Sequence, residues 1–495
     1  ATPADAVADV ANAANAWIDR HADDHVGAWL DAMRDVRPDV CLVASGADAY
    51  GLVAAYRLRI PVITASLDAW YYSSNNRPGV HTTRERRGRR RSPPRRPADD
   101  DASYSSFGGI IEAYVAALAG GATRVAAHGS SMRPRVREAF AKRLDFDVAD
   151  FESYYEPPAV FPALVLQPPA VAAAVTTPQT PTSGGGGAAS PAPPKMTTTL
   201  LDDDEDHRCV GYCVVDEAAQ LRAMAAAAAA PAEEDTTTAS SPFGRPDTMR
   251  RVEAFFAAAA RATGKVVYLG WPIVPRSPGT LLLLAARALR ASGLHAIILG
   301  TTTTTTFSMD VLRRACEGEI DGAGVVDFAA DRCLFLDNAP HEALFKRCAC
   351  VVHHGGVGTT AAALRAGVPQ VVAPAYAPRH FDSATAVRRL GCGHGFSKSL
   401  FALDATELGR AIARCVYDDD VVRQARDVAV EAIRREDGNA GVVRGVGDFW
   451  RDAVRTGAFD DFVSSRLAKR ELEVVLADEA SVGAYDLRAS TCGFF

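Results

Sequence analysis

The chain has 495 residues, 48% of them hydrophobic and 23% charged, with a formal net charge of −6. That length suits two or three domains, and the globular composition excludes a wholly disordered or fibrous chain. The acidic balance argues against a nucleic-acid binder, which would be basic over its binding face. No apolar run reaches the roughly 18 residues of a spanning helix, since the best, Val160–Val175, is broken by Pro162, Pro168 and Pro169.

The first residue is Ala1, and no basic-then-apolar leader follows it, so a processed or trimmed chain is expected. The ten cysteines include no C-x-x-C. Scattered in this way, they read as reduced thiols of a cytoplasmic protein rather than as a disulfide or zinc framework.

In chain order, Val40–Ala44 reads as a buried strand, Ala47–Leu58 as a helix and Pro61–Ala65 as a second strand. An insertion follows at about 81–106, with eight arginines between Arg84 and Arg96. Another spans about 176–207 and is rich in Pro, Thr, Gly and Ala. Both bury too little apolar surface to repay chain ordering and are expected to be disordered, as is the Ala-rich run Ala223–Ser241. The second half alternates more cleanly. Strands are expected at Val266–Gly270, His295–Leu299, Cys333–Leu336, Cys350–His354 and Gln370–Ala373, with helices at Thr280–Ala291 and Thr359–Arg365. Thr301–Thr306 reads as an expanded loop, and Phe449–Leu476 as an amphipathic helix. Short β-branched strands alternating with helices predict parallel sheets covered on both faces. The resulting fold class is α/β, with two Rossmann-like doubly wound domains facing across a cleft. The expected boundaries are 1–245 and 246–448, followed by a helical tail at 449–495 that packs back. Ligands of such folds sit at the carboxyl ends of the strands.

The segment Cys348–Pro374, CACVVHHGGVGTTAAALRAGVPQVVAP, carries the chemistry. It reads as strand, glycine turn, helix and strand. Gly355, Gly356 and Gly358 form the turn, and Thr359 or Thr360 is expected to cap the helix. Gly367 ends that helix before Pro369. Glycines allow close backbone approach, and a helix amino end attracts anions. Adjacent residues at a strand end point to opposite faces, so only one of His353 and His354 can face a ligand, and His354 is the choice. The same geometry argues against a metal pair.

With Asn338–Phe345, NAPHEALF, ahead of it, this stretch resembles the sterol 3-β-glucosyltransferases, members of the UDP-dependent glycosyltransferases of the two-Rossmann GT-B fold. Weaker similarity covers RPDVCLVASG, GLVAAYRLRIPVI, Ala163–Val171, Val210–Ala218 and Lys265–Val274. The resemblance implies a UDP-sugar donor, glucose as the sugar, and a sterol or other lipid hydroxyl as acceptor. It further implies inversion at the anomeric carbon, with no metal or other cofactor. His354 would meet the phosphate nearest the nucleoside, and Gly358 and Thr359 would hold the pyrophosphate. Ala339, Pro340 and His341 would lie beside the uracil. Any membrane contact would be peripheral, with the basic insertion meeting anionic lipid.

The sequence also departs from that pattern. The family's sugar-binding Asp-Gln pair aligns with Pro378 and Arg379, which offer a neutral sugar no acceptor. Asp382 is a substitute, and Arg379 raises an acidic sugar such as a glucuronosyl group as an alternative donor. Where the family has Gly-Phe-Gly-Ser, this chain has Gly270, Trp271, Pro272 and Ile273. The resemblance implies a catalytic base in an amino-terminal strand and glycine-rich loop that is not visible in Ala1–Val36, so no residue is identified as the base. His21, Asp23, Asp24 and His25 read better as a solvated helix end. Two other readings therefore stay open: a degenerate glycosyltransferase-like scaffold, and another UDP-sugar enzyme on the same fold, such as an epimerase.

Overall fold

The computed structural model describes residues 28–38, 40–44, 60, 62–66, 163–176, 207–229, 243–244, 247–262, 264–271, 278–302, 305–375 and 378–457. The Ala47–Leu58 helix, the Arg84–Arg96 run, most of 176–207, His21–His25 and everything past 457 lie outside the described residues. Two compact units divide the described ones. The smaller holds a helix at residues 28–36 (α1) and the strand β1 (Cys41–Ala44). Leu30 and Met33, one turn apart on α1, are buried, as an amphipathic helix requires.

In the larger unit, the end of β2 (Val62–Ser66) pairs in parallel with β3 (Ala163–Val165), and β3 with β4 (His207–Cys209). Helix α2 (Pro169–Thr176) opens on the proline that a helix tolerates at its first position. Helix α3 (Glu217–Ala229) overturns part of the insertion expected at Ala223–Ser241. Alanine has the highest helix propensity, so the run extends a helix begun at Glu217.

Helix α4 (Thr248–Ala260) leads into the main sheet. The sheet's strands are β5 (Val266–Gly270), β6 (His295–Leu299), β9 (Cys333–Leu336), β10 (Cys350–His353), β11 (Gln370–Val372) and β12 (Gly393–Gly395). They lie in the order β12-β11-β10-β5-β6-β9, with every neighbouring pair parallel. Alternation along the strands divides the core. Val267, Leu269, Ala296, Ile298, Cys350 and Val352 face one way, toward α5 (Pro278–Ser292). Val266, Tyr268, Ile297 and Val351 face the other, toward α4. This is the period of two that sends successive side chains to opposite faces. The α/β class with helix-covered parallel sheets is as the sequence predicts.

Thr301–Thr306 is not a plain loop. Thr301–Thr302 (β7) and Thr305–Thr306 (β8) pair antiparallel as a small hairpin, closed by Phe307 N donating to Gly300 O. Helices α6 (Met309–Ala315) and α7 (Gly322–Arg332) follow, then the short α8 (His341–Leu344), α9 (Val357–Ala366) and α10 (Pro378–Arg389). Helix α11 (Ala405–Tyr417) is fixed by a reciprocal capping box between Asp404 and Glu407. After α12 (Asp419–Val428), the last helix among the described residues, α13 (Gly438–Thr456), starts well before the expected Phe449. All described cysteines are free thiols.

Candidate functional site

Chain order β5, β6, β9, then β10, β11, β12 makes the sheet reverse direction between β5 and β10. Beside that switch point, at the carboxyl ends, open α/β sheets hold their ligands. Gly270 pairs with His353 there, and the first glycine of the turn, Gly355, lies two residues on.

The two histidines have different surroundings. His353 belongs to the core: it is fully buried, its Nε2 lies 2.9 Å from Gln370 Oε1, and its Nδ1 accepts from Gly355 N at 3.1 Å. His354 stands just past the strand, which ends at His353 rather than at His354. It is buried, and its Nδ1 has no hydrogen-bond partner among the described residues. Its Nε2 lies on the loop side, 2.9 Å from where a Cβ on Gly356 would stand.

Gly355 has φ +97°, the left-handed region that glycine enters without strain. The helix cap differs from expectation. Gly356 is the N-cap of α9, with no side-chain cap. Thr359 and Thr360 lie inside the first turn, and the buried Thr360 hydroxyl donates back to Gly356 O at 2.9 Å. The first intrahelical bond runs from Thr360 N to Gly356 O. By helical geometry the amides of Val357, Gly358 and Thr359 have no acceptor within the helix, and no acidic residue occupies that turn. Gly358 is exposed and Thr359 half-buried, so these amides make an anion-attracting end. Gly367 closes the helix at φ +71°, as predicted.

A neighbouring aromatic cluster holds the NAPHEALF segment. Pro340 is buried and is the N-cap of α8. The His341 ring stacks on Phe345 at 4.5 Å, and its Nε2 lies 3.0 Å from the Tyr268 hydroxyl. Tyr268 also meets Phe345 edge-on at 4.7 Å and covers Gly270, where a Cβ would come within 2.5 Å of its hydroxyl. The cluster thus reaches from α8 to the end of β5.

Pro378 and Arg379 are not on a loop: they open α10, a position that suits proline. Arg379 is exposed, and Asp382, further along the same helix, is half-buried. The sequence reading missed His380, which is 2% exposed and meets the His354 ring edge-to-face at 4.7 Å. No motif marks it, because a single histidine on a helix carries no pattern of its own.

Burial holds these imidazoles neutral: His353 is pushed down to about 3, and His341 and His354 to about 4. After burial, the Arg379 charge lowers His354 further, while a backbone interaction with Gly270 acts the other way. His380 is also lowered, by burial first. An unfolded histidine protonates near 6.5, so below that pH the unfolded chain binds more protons and stability falls. The thermal midpoint is expected to be at its full value above pH 6.5 and to decline steadily toward pH 4 and below. A melting series between pH 7.5 and 4 checks this, and a midpoint unchanged from 7 to 5 contradicts it. The ion pair of Asp321 with Arg287, which holds that carboxylate low, would be lost only in stronger acid.

Residues 329–443 match the family described as "Erythromycin biosynthesis protein CIII-like, C-terminal domain". The chain is 28% identical over 190 residues to a sterol 3-beta-glucosyltransferase of Eremothecium gossypii, covering 38% of this chain and 14% of that protein. It is 35% identical over 124 residues to a sterol 3-beta-glucosyltransferase of Arabidopsis thaliana, covering 25% and 19%. The match therefore spans less than a fifth of either relative's length. Among solved structures, the calicheamicin glycosyltransferase CalG4 aligns with a TM-score of 0.45 at 14% identity, over 87% of this chain and 79% of that one. The carboxy-terminal stretch is thus similar to a glycosyltransferase domain family over residues 329–443 and, over part of its length, to sterol 3-beta-glucosyltransferases.

Proposed function

We propose that this chain transfers a sugar, glucose, from a UDP-sugar to the hydroxyl of a sterol or another lipid, with inversion at the anomeric carbon. One observation carries the reading: a glycine turn at the switch point joins His354 to the uncapped amino end of α9. The amides of Gly358 and Thr359 and the His354 ring meet the diphosphate there, with Gly355 and Gly356 allowing its close approach. Pro340 and His341 lie beside the nucleobase, and Arg379 and Asp382 toward the sugar. The acceptor oxygen forms its bond to the anomeric carbon as the bond to UDP breaks, and UDP leaves with the electron pair. Donors fixed at such developing charge are each worth about 2.7–4 kcal/mol in rate. The acceptor's proton goes to a base, which we assign to no described residue. No metal or other cofactor is invoked. No helix among the described residues is long and apolar enough to cross a membrane, and contact with the bilayer that holds the acceptor would be peripheral.

The test is calorimetric titration of UDP into the purified chain. Micromolar binding is expected, and His354→Ala should weaken it about 10- to 100-fold, the worth of one hydrogen bond to a charged group. Transfer from UDP-glucose to a sterol, with the product's anomeric configuration read by NMR, then tests the reaction. A folded protein that does not bind UDP overturns the proposal.

A further inference from the structure

The first turn of α10 is pressed onto the glycine turn. A Cβ on Gly355 would lie 2.7 Å from His380 O and 2.9 Å from His380 Cα. From this turn the His380 ring, 2% exposed, meets the His354 ring edge-to-face at 87°. His354 needs such support. Its neighbour His353 is oriented through both ring nitrogens, by Gln370 and by the Gly355 amide. His354 follows the last strand residue, and its buried Nδ1 has no hydrogen-bond partner among the described residues. Beyond its one backbone interaction with Gly270, the ring is held by packing. The orientation matters, because Nε2 is the ring atom that faces Gly356 and the amino end of α9.

We propose that His380 is a positioning residue: its buried ring holds the His354 imidazole with Nε2 turned toward the amino end of α9. The inference rests on the reading of that end as a nucleotide diphosphate site and deepens it. It gives α10 a second part in the site, as the wall against which the histidine is set.

The experiment reads the ring nitrogens of His354 by NMR without ligand, then titrates UDP. In the native protein one sharp set of His354 ring resonances is expected. His380→Ala should broaden or shift that set and weaken UDP about three- to tenfold, the usual worth of one aromatic edge contact. His380→Phe keeps a ring edge and should restore both, whereas His380→Leu, which fills space without a ring, should not. If His380→Ala fails to fold, the Phe and Leu variants decide the matter, and equal behaviour of those two overturns the proposal. Unchanged His354 resonances and UDP affinity in His380→Ala, even with lowered stability, also overturn it by showing a merely structural role. The spectrum needs no nucleotide, so a native protein that fails to bind UDP removes the functional reading while His380's hold on His354 is still decided.

Discussion

Replacing Gly355 with alanine is expected to cost about 2–5 kcal/mol of stability and to abolish UDP binding. The estimate has two parts. At φ +97° an L side chain meets its own backbone, at a cost of about 1–2 kcal/mol. The new methyl would also stand 2.7 Å from His380 O and 3.1 Å from its carbonyl carbon. These are backbone atoms of a helix, so they cannot swing aside as a flexible side chain would, and such overpacking adds about 1–3 kcal/mol. Relief comes only by moving α10 away from the loop, which takes His380 from His354 and spoils the turn before α9. Urea unfolding gives the first quantity and calorimetry the second. Gly358→Ala is the internal control, because a Cβ there meets nothing within 4 Å and stability should change little. Similar unfolding midpoints for the two variants would refute the argument.

Phe345→Ala is expected to cost about 3–5 kcal/mol, the range for removing a buried aromatic ring. Phe345 is fully buried, between Tyr268 at 4.7 Å and the stacked His341 ring at 4.5 Å. Its loss leaves a cavity under the segment that carries Pro340 and His341. The hydrogen bond between Tyr268 and His341 would then be held from one side only. Phe345→Leu keeps most of the apolar volume, and its cost should stay below about 1.5 kcal/mol. Denaturant midpoints at constant slope check both values. A small loss in the alanine variant would mean that the cluster collapses to fill the gap.

Local chemistry in the sequence accounts for much of the carboxy-terminal fold. Val266–Gly270, His295–Leu299 and Cys333–Leu336 are strands at the predicted bounds. Short apolar runs set between helical patterns favour buried parallel strands. Gly367 stops its helix because only a residue without Cβ enters the left-handed region freely. The glycine turn was legible for the same reason.

Contacts between distant residues were not legible. From the sequence, Thr359 and Thr360 are candidate caps, and His354 is the one of the two histidines expected to face a ligand. Folding moved the cap to Gly356 and joined His353 to Gln370, 17 positions away. It brought Tyr268 to His341, 73 positions away, and set His380 against His354 through the packing of α10 on the loop. Hydrophobic periodicity and turn residues report interactions within one or two helical turns. A ring contact between elements depends on how strand order and helix packing bring them together, and no local pattern encodes it. The sequence by itself determined the carboxy-terminal strands and the glycine turn. Only the tertiary structure decided where the helix is capped and which rings meet, because those contacts join residues that lie far apart in the chain.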